Sequence, residues 1–148
     1  RDNESMSLIA GDILSYINER IPMIKDGQLH AKRSHGDYIP FLSIKGPKYD
    51  IPYAVKKEIY DICKEDMIWL KENYGIDYLK LPLPSQTSHT LTEEITGDIK
   101  KLVLNPKLSI TLRWLVIDYL KTQLKNSSNK KSTFLIKKLL KELGHKIY

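Results

Sequence analysis

Two clusters of basic side chains and one carboxylate in an apolar setting are the residues whose type and spacing could do chemistry. The first cluster is His30-Ala31-Lys32-Arg33-Ser34-His35-Gly36, four basic or titratable groups in a loop-like segment. Cations held this close can clamp a phosphate or sulfate, and arginine does so best through its planar fork of donors. Lys32, Arg33 and His35 are the candidate anion ligands there, with an exposed basic loop as the plainer reading. The second cluster is the stretch 121–146, with Lys121, Lys125, Lys130, Lys131, Lys137, Lys138, Lys141 and Lys146 against the single acid Glu142. Such a block favours anionic partners: nucleic acid, a membrane surface or an anionic glycan. Lys130, Lys131, Lys137 and Lys138, with Lys141 beside them, are its candidate ligands, and a solvated helix face is the plainer reading. A helix that reads base edges would also offer Arg, Asn or Gln. This one offers mainly Lys, which argues against sequence-specific recognition.

Asp66 is the misplaced acid. It lies four residues after Ile62 and four before Leu70, on the apolar side of its helix. A buried carboxylate needs a cationic or hydrogen-bonding partner. Arg1, His30, Lys32 and Arg33 are available, and a structural tie between helices is expected rather than catalysis.

Other chemistries lack their residues. Neither G-x-x-x-x-G-K-[ST] nor G-x-G-x-x-G occurs, so the usual nucleotide-phosphate cradle is missing from this chain. His30 and His35 are five apart, not the four of a metal-binding helix. Cys63 has no His or Asp placed by sequence to activate it and reads as a small core residue. Ser85, Thr87, Ser88 and His89 fall in a linker, and a triad is defined by geometry, not by proximity in sequence. No catalytic residue, no metal ligand set and no cofactor bound by this chain alone is expected.

The elements that must position these residues are helical. A chain of 148 residues, 41% hydrophobic, can bury a core without staples. One cysteine excludes an intrachain disulfide and fits a cytoplasmic protein. The apolar runs are too short for a transmembrane segment, and no signal peptide is visible. Ile9, Ile13, Ile17 and Ile21 are four apart and predict a first helix from about Met6 to Arg20, with Ser5 as cap and Pro22 as stop. One or two short helices are expected in the irregular stretch 22–50. Asp50-Ile51-Pro52 opens a long helix whose apolar positions run from Val55 to Tyr74, ended by Gly75. Leu81-Pro82-Leu83-Pro84 reads as extended linker. Thr90-x-x-Glu93 reads as a capping box for a helix to about Val103. A helix over about 107–125 is apolar on several sides, which suits a central or interface position. Ser132 is the expected cap of a final Leu-rich helix ended by Gly144. No run alternates well enough for a strand, and no internal repeat stands out. The expected fold class is all-α, a compact bundle of about five to six helices with irregular loops at 22–50 and 80–90. Residues 1–79 and 91–148 are expected as separate parts, joined by a linker at 80–90.

Three segments in order resemble the C-terminal third of a bacterial sulfotransferase-like family. They are Arg1-x-Asn3-x-Ser5-x-Ser7, running into a helix with Tyr16-Ile17-Asn18; Gly46-Pro47-Lys48-Tyr49-Asp50-Ile51-Pro52; and Asp66-x-x-x-Leu70-x-x-x-Tyr74-Gly75-Ile76-Asp77. The likeness covers 1–79 only. It implies a longer parent that uses 3′-phosphoadenylyl sulfate, with phosphate loop and catalytic base upstream of Arg1. Arg1, Asn3 and Ser5 are then the residues that would touch the donor. The chain is expected to be an accessory C-terminal domain, inactive alone, with the upstream domain as its first partner. The rival expectations are an anion-binding module and a homo-oligomerisation domain built on helix 107–125 and the last helix.

Overall fold

A computed structural model describes residues 6–48, 51–80 and 90–145. Among these, five α-helices carry the architecture, as expected for a helical bundle: α1 (Leu8–Arg20), α2 (Tyr53–Tyr74), α3 (Glu93–Val103), α4 (Ile110–Asn126) and α5 (Lys130–Glu142). The contacts divide the chain differently from the expected 1–79 and 91–148. Residues 6–48 and 90–145 form one unit, and 51–80 belong to another.

In the larger unit, α4 packs on α1 and on α5, and α3 packs on α5, on α4 and on a 3-10 turn at Ile39–Ser43. The isoleucine ladder of α1 explains its docking: Ile13 and Ile17 are fully buried, with Ala10. Phe41 and Ile44 from the 3-10 turn region join the same core, as do Ile99 and Leu102 of α3. Leu112, Val116 and Leu120 line the inner side of α4, and Ile136 and Leu140 that of α5. Each helix therefore contributes one stripe at three- and four-residue spacing, and packing of that stripe carries most helical stability.

Side-chain caps mark the starts of α1, α3, α4 and α5. Ser7, not Ser5, caps α1: its hydroxyl accepts the Ala10 N–H at 3.3 Å. Ser5 lies outside the described residues. Thr92, not Thr90, caps α3, accepting the Ile95 N–H at 3.2 Å. Ser109 caps α4 through the Leu112 N–H. Asn105 accepts the Lys107 N–H at 2.9 Å and closes a turn before that helix. Asn129 rather than Ser132 caps α5, its side-chain oxygen accepting from both Lys131 and Ser132 N–H groups. Ser132 is thereby drawn into the helix and buried.

The irregular stretch holds something unforeseen, a minimal hairpin of β1 (Ile24–Lys25) and β2 (Gln28–Leu29), with Ile24 opposite Leu29. Its turn is Asp26-Gly27, both at positive φ (52° and 76°), the backbone that a two-residue hairpin of this twist requires.

The smaller unit is dominated by α2, 22 residues long, which ends as expected at left-handed Gly75 (φ 69°). None of its residues is buried. Val55, Ile59, Ile62 and Trp69 stand exposed, although their spacing is that of a core stripe. The linker residues 81–89 lie outside the described residues.

The register of α3 gives a direct check. Replacing Thr92 by alanine leaves a helix N–H without its acceptor and is expected to lower the unfolding free energy by about 1 kcal/mol, with Thr92→Asn restoring most of it. Chemical denaturation measures this. An unchanged midpoint for Thr92→Ala would place the cap elsewhere.

Candidate anion-binding face

The basic loop and the basic helix part company in three dimensions. Arg33 points inward and is only 8% exposed. Its Nε donates to Asp37 Oδ2 at 2.7 Å and its Nη2 to Asp37 Oδ1 at 3.1 Å, a bidentate pair. Nη1 donates to Asn18 Oδ1 at 2.7 Å and to the Ile21 carbonyl at 2.8 Å. The guanidinium therefore ties the loop to the end of α1, with its fork occupied by these partners. This corrects its assignment as an anion ligand: the loop can bury an arginine here because Asp37 lies four residues on and the last turn of α1 offers two further acceptors. Lys32 and His35 stay exposed on the outside of the same loop, without the arginine that would have completed a clamp.

Asp37 answers to the same contact. Burial pushes its carboxyl upward. The Arg33 hydrogen bonds, the Ser34 N–H and the Arg33 charge outweigh that and hold it below its ordinary 3.8. Asp66, in contrast, is exposed, which corrects the expectation of a buried acid. Helical spacing told which side of α2 it occupies, but no residue of α2 is buried, so that side is not core. Arg1, Asn3 and Ser5 lie outside the described residues.

The joint between α1 and α4 holds a second polar cluster. The Tyr16 hydroxyl donates to Asp118 and lies 3.2 Å from Thr122 Oγ1. Arg20 stacks over the Tyr16 ring, 3.3 Å from its centre. Burial and the bond to Asp118 push the Tyr16 phenol upward. Beside it, a cleft of about 500 Å³ is lined by Asp12, Tyr119, Gln123 and Asn129 among others. Burial raises the Tyr119 phenol far above its ordinary 10, so it stays neutral at physiological pH. The cleft offers hydrogen-bonding groups, but no histidine or cysteine lines it. Among the described residues, no three His, Cys, Asp or Glu side chains gather as a metal site.

The outer face of α5 is where the predicted cations converge. Leu135, Ile136, Leu139 and Leu140 are buried against α3 and α4. Helix geometry then sends Lys130, Lys131, Lys137, Lys138 and Lys141 outward, and all five are exposed. Among the described residues none of them forms an ion pair. Glu142, the one acid of the helix, is bound instead to Lys100 of α3 at 2.9 Å. That contact holds its carboxyl below the usual range. At the centre of the lysines stands Phe134, 64% exposed. Lys130 and Lys131 lie four and three residues before it, Lys137 and Lys138 three and four after, so all four are its neighbours on the helix surface. Sequence reasoning passed over Phe134. Its signal was an aromatic out of phase with the Leu/Ile stripe and in phase with the lysines.

No family model matches the sequence, and no curated protein or solved structure matches it either. No described helix is long and apolar enough to cross a membrane.

The Arg33–Asp37 pair makes two measurable statements. Arg33→Ala leaves the buried Asp37 carboxylate without its cation, with the Ser34 N–H still donating to it, and is expected to cost about 3–5 kcal/mol of stability. Because folding lowers the Asp37 pKa, its contribution is full above about pH 4 and is lost as pH falls through the lower folded value. Denaturation between pH 2 and 7 should show that acid loss, and Asp37→Asn should flatten it.

Proposed function

We propose that this chain is a non-catalytic helical module that holds a polyanion against the outer face of α5. The observation that carries the reading is five exposed lysines on one 13-residue helix, with the helix's only acid tied to a neighbouring helix. Lysine ammonium groups on flexible stems attract phosphate and sulfate as point charges and make no geometric demand. That suits an extended, repetitive anion better than a single small one. The face carries no arginine, asparagine or glutamine on its exposed side, so charge, not base sequence, selects the partner.

Within a longer polypeptide such a face would serve as an accessory anchor. The three sequence motifs support a sulfotransferase-like parent, with 3′-phosphoadenylyl sulfate bound upstream and the basic face of this module holding an anionic acceptor in the cytoplasm. The anchoring role itself rests on α5 and stands without that parentage. Homo-oligomerisation through α4 would have only Ile110 and Trp114 as exposed apolar residues of that helix to use, because Leu112, Val116, Ile117 and Leu120 are engaged in the core.

The test is the salt dependence of binding to a short DNA duplex or a sulfated polysaccharide, used as polyanion probes. Affinity for the duplex should fall linearly on a log–log plot against salt. Each of Lys130, Lys131, Lys137 and Lys138 changed to Gln should lower the slope by roughly one. Lys32→Gln should leave it unchanged. Affinity that ignores both salt and the α5 lysines would end this reading.

A further inference from the structure

We infer that the surface recognised by α5 is an anionic lipid bilayer, with Phe134 seated at the boundary between headgroups and acyl chains; this rests on the polyanion reading above. A polyanion alone accounts for the lysines but leaves Phe134 unexplained. The ring is 64% exposed although the helix buries four other large apolar side chains against the bundle. It projects from the middle of the charged face, not from its edge. A phosphate backbone offers such a ring no apolar partner. A bilayer offers both partners at the right depths, phosphate for the ammonium groups and hydrocarbon just below for the ring.

The lysines suit this arrangement. Their aliphatic stems can lie along the interface while the ammonium groups remain among the phosphates. The four nearest occupy both flanks and both neighbouring turns around Phe134, so the charge surrounds the ring. Single-stranded nucleic acid, the rival that could use an aromatic, is bound by successive aromatics within a positive groove. Here one ring stands on the outer side of a helix, and the bordering cleft between α3 and α5 carries Glu93 and Glu142 as well as Lys100 and Lys138, so it is not a positive groove. One Phe with lysines is a shallow, reversible anchor. Anionic lipid attracts each cation near the surface enough for about a fivefold gain in binding, so charge and ring are both needed.

The experiment uses the full chain with vesicles of phosphatidylcholine containing about one-third phosphatidylglycerol, vesicles of phosphatidylcholine alone and a DNA duplex, all at one ionic strength. Binding is expected to the phosphatidylglycerol vesicles and to be weak or absent on pure phosphatidylcholine. Phe134→Ala should weaken vesicle binding roughly tenfold or more and leave duplex binding within about twofold. Because the ring is exposed, this variant should keep its circular dichroism. A fluorophore sensitive to polarity, placed by Phe134→Cys in a Cys63→Ser background, should shift to the blue on the anionic vesicles. Duplex binding without vesicle binding, or vesicle binding indifferent to Phe134, overturns the bilayer and leaves the polyanion reading standing. Binding to neither overturns both.

Discussion

Burial of α4 between α1 and α5 is the constraint from which the rest follows. Val116 and Leu120 are fully buried, and Leu112 nearly so. The stripe of α4 that carries Leu112, Val116, Ile117 and Leu120 needs partners to cover it, whereas Ile110 and Trp114, the apolar residues on its other side, stay exposed. The isoleucine ladder of α1 covers one side, across a separation of about a hundred residues bridged by the Tyr16–Asp118 contact. The leucines of α5 cover another. Once α5 turns Leu135, Ile136, Leu139 and Leu140 inward, its remaining positions have nowhere to go but outward. The basic face with Phe134 at its centre is thus a consequence of how the core is filled, held on a rigid element.

The same logic explains why the other basic cluster takes a different role. Lysine and histidine in a loop remain solvated unless something draws them in. Arg33 is drawn in because Asp37, Asn18 and the Ile21 carbonyl converge on it at hydrogen-bonding distance. Its fork fits a carboxylate from the same loop as well as it would fit an external anion. An arginine among basic neighbours is therefore ambiguous in sequence: the deciding acid can be a loop residue four positions away.

Much of the fold was legible because helical periodicity is a local signal. The stripes of α1, α3, α4 and α5 and the glycine stops at Gly75 and Gly144 need only residues a few positions apart. Caps were less legible. Thr90 and Thr92, or Asn129 and Ser132, offer equivalent oxygens, and which one caps depends on the register that best buries the apolar stripe. The hairpin at Asp26-Gly27 had a readable turn, but two-residue strands are too short to alternate. The grouping of 6–48 with 90–145 is a long-range property that no local pattern encodes. Asp66 shows the complementary limit: spacing identifies the side of a helix, whereas burial depends on whether anything covers that side. Phe134 was hidden because it interrupts a pattern instead of making one.

The measurement that tests the central claim most directly is residue-level mapping of binding by NMR. Short-chain phosphatidylglycerol would be titrated into the isotopically labelled chain while backbone amide shifts are followed. The account predicts that the largest changes centre on Lys130–Lys141, peak around Phe134, and vanish at high salt. Changes centred on the 30–36 loop or on α2, or none along α5 at saturation, would contradict it.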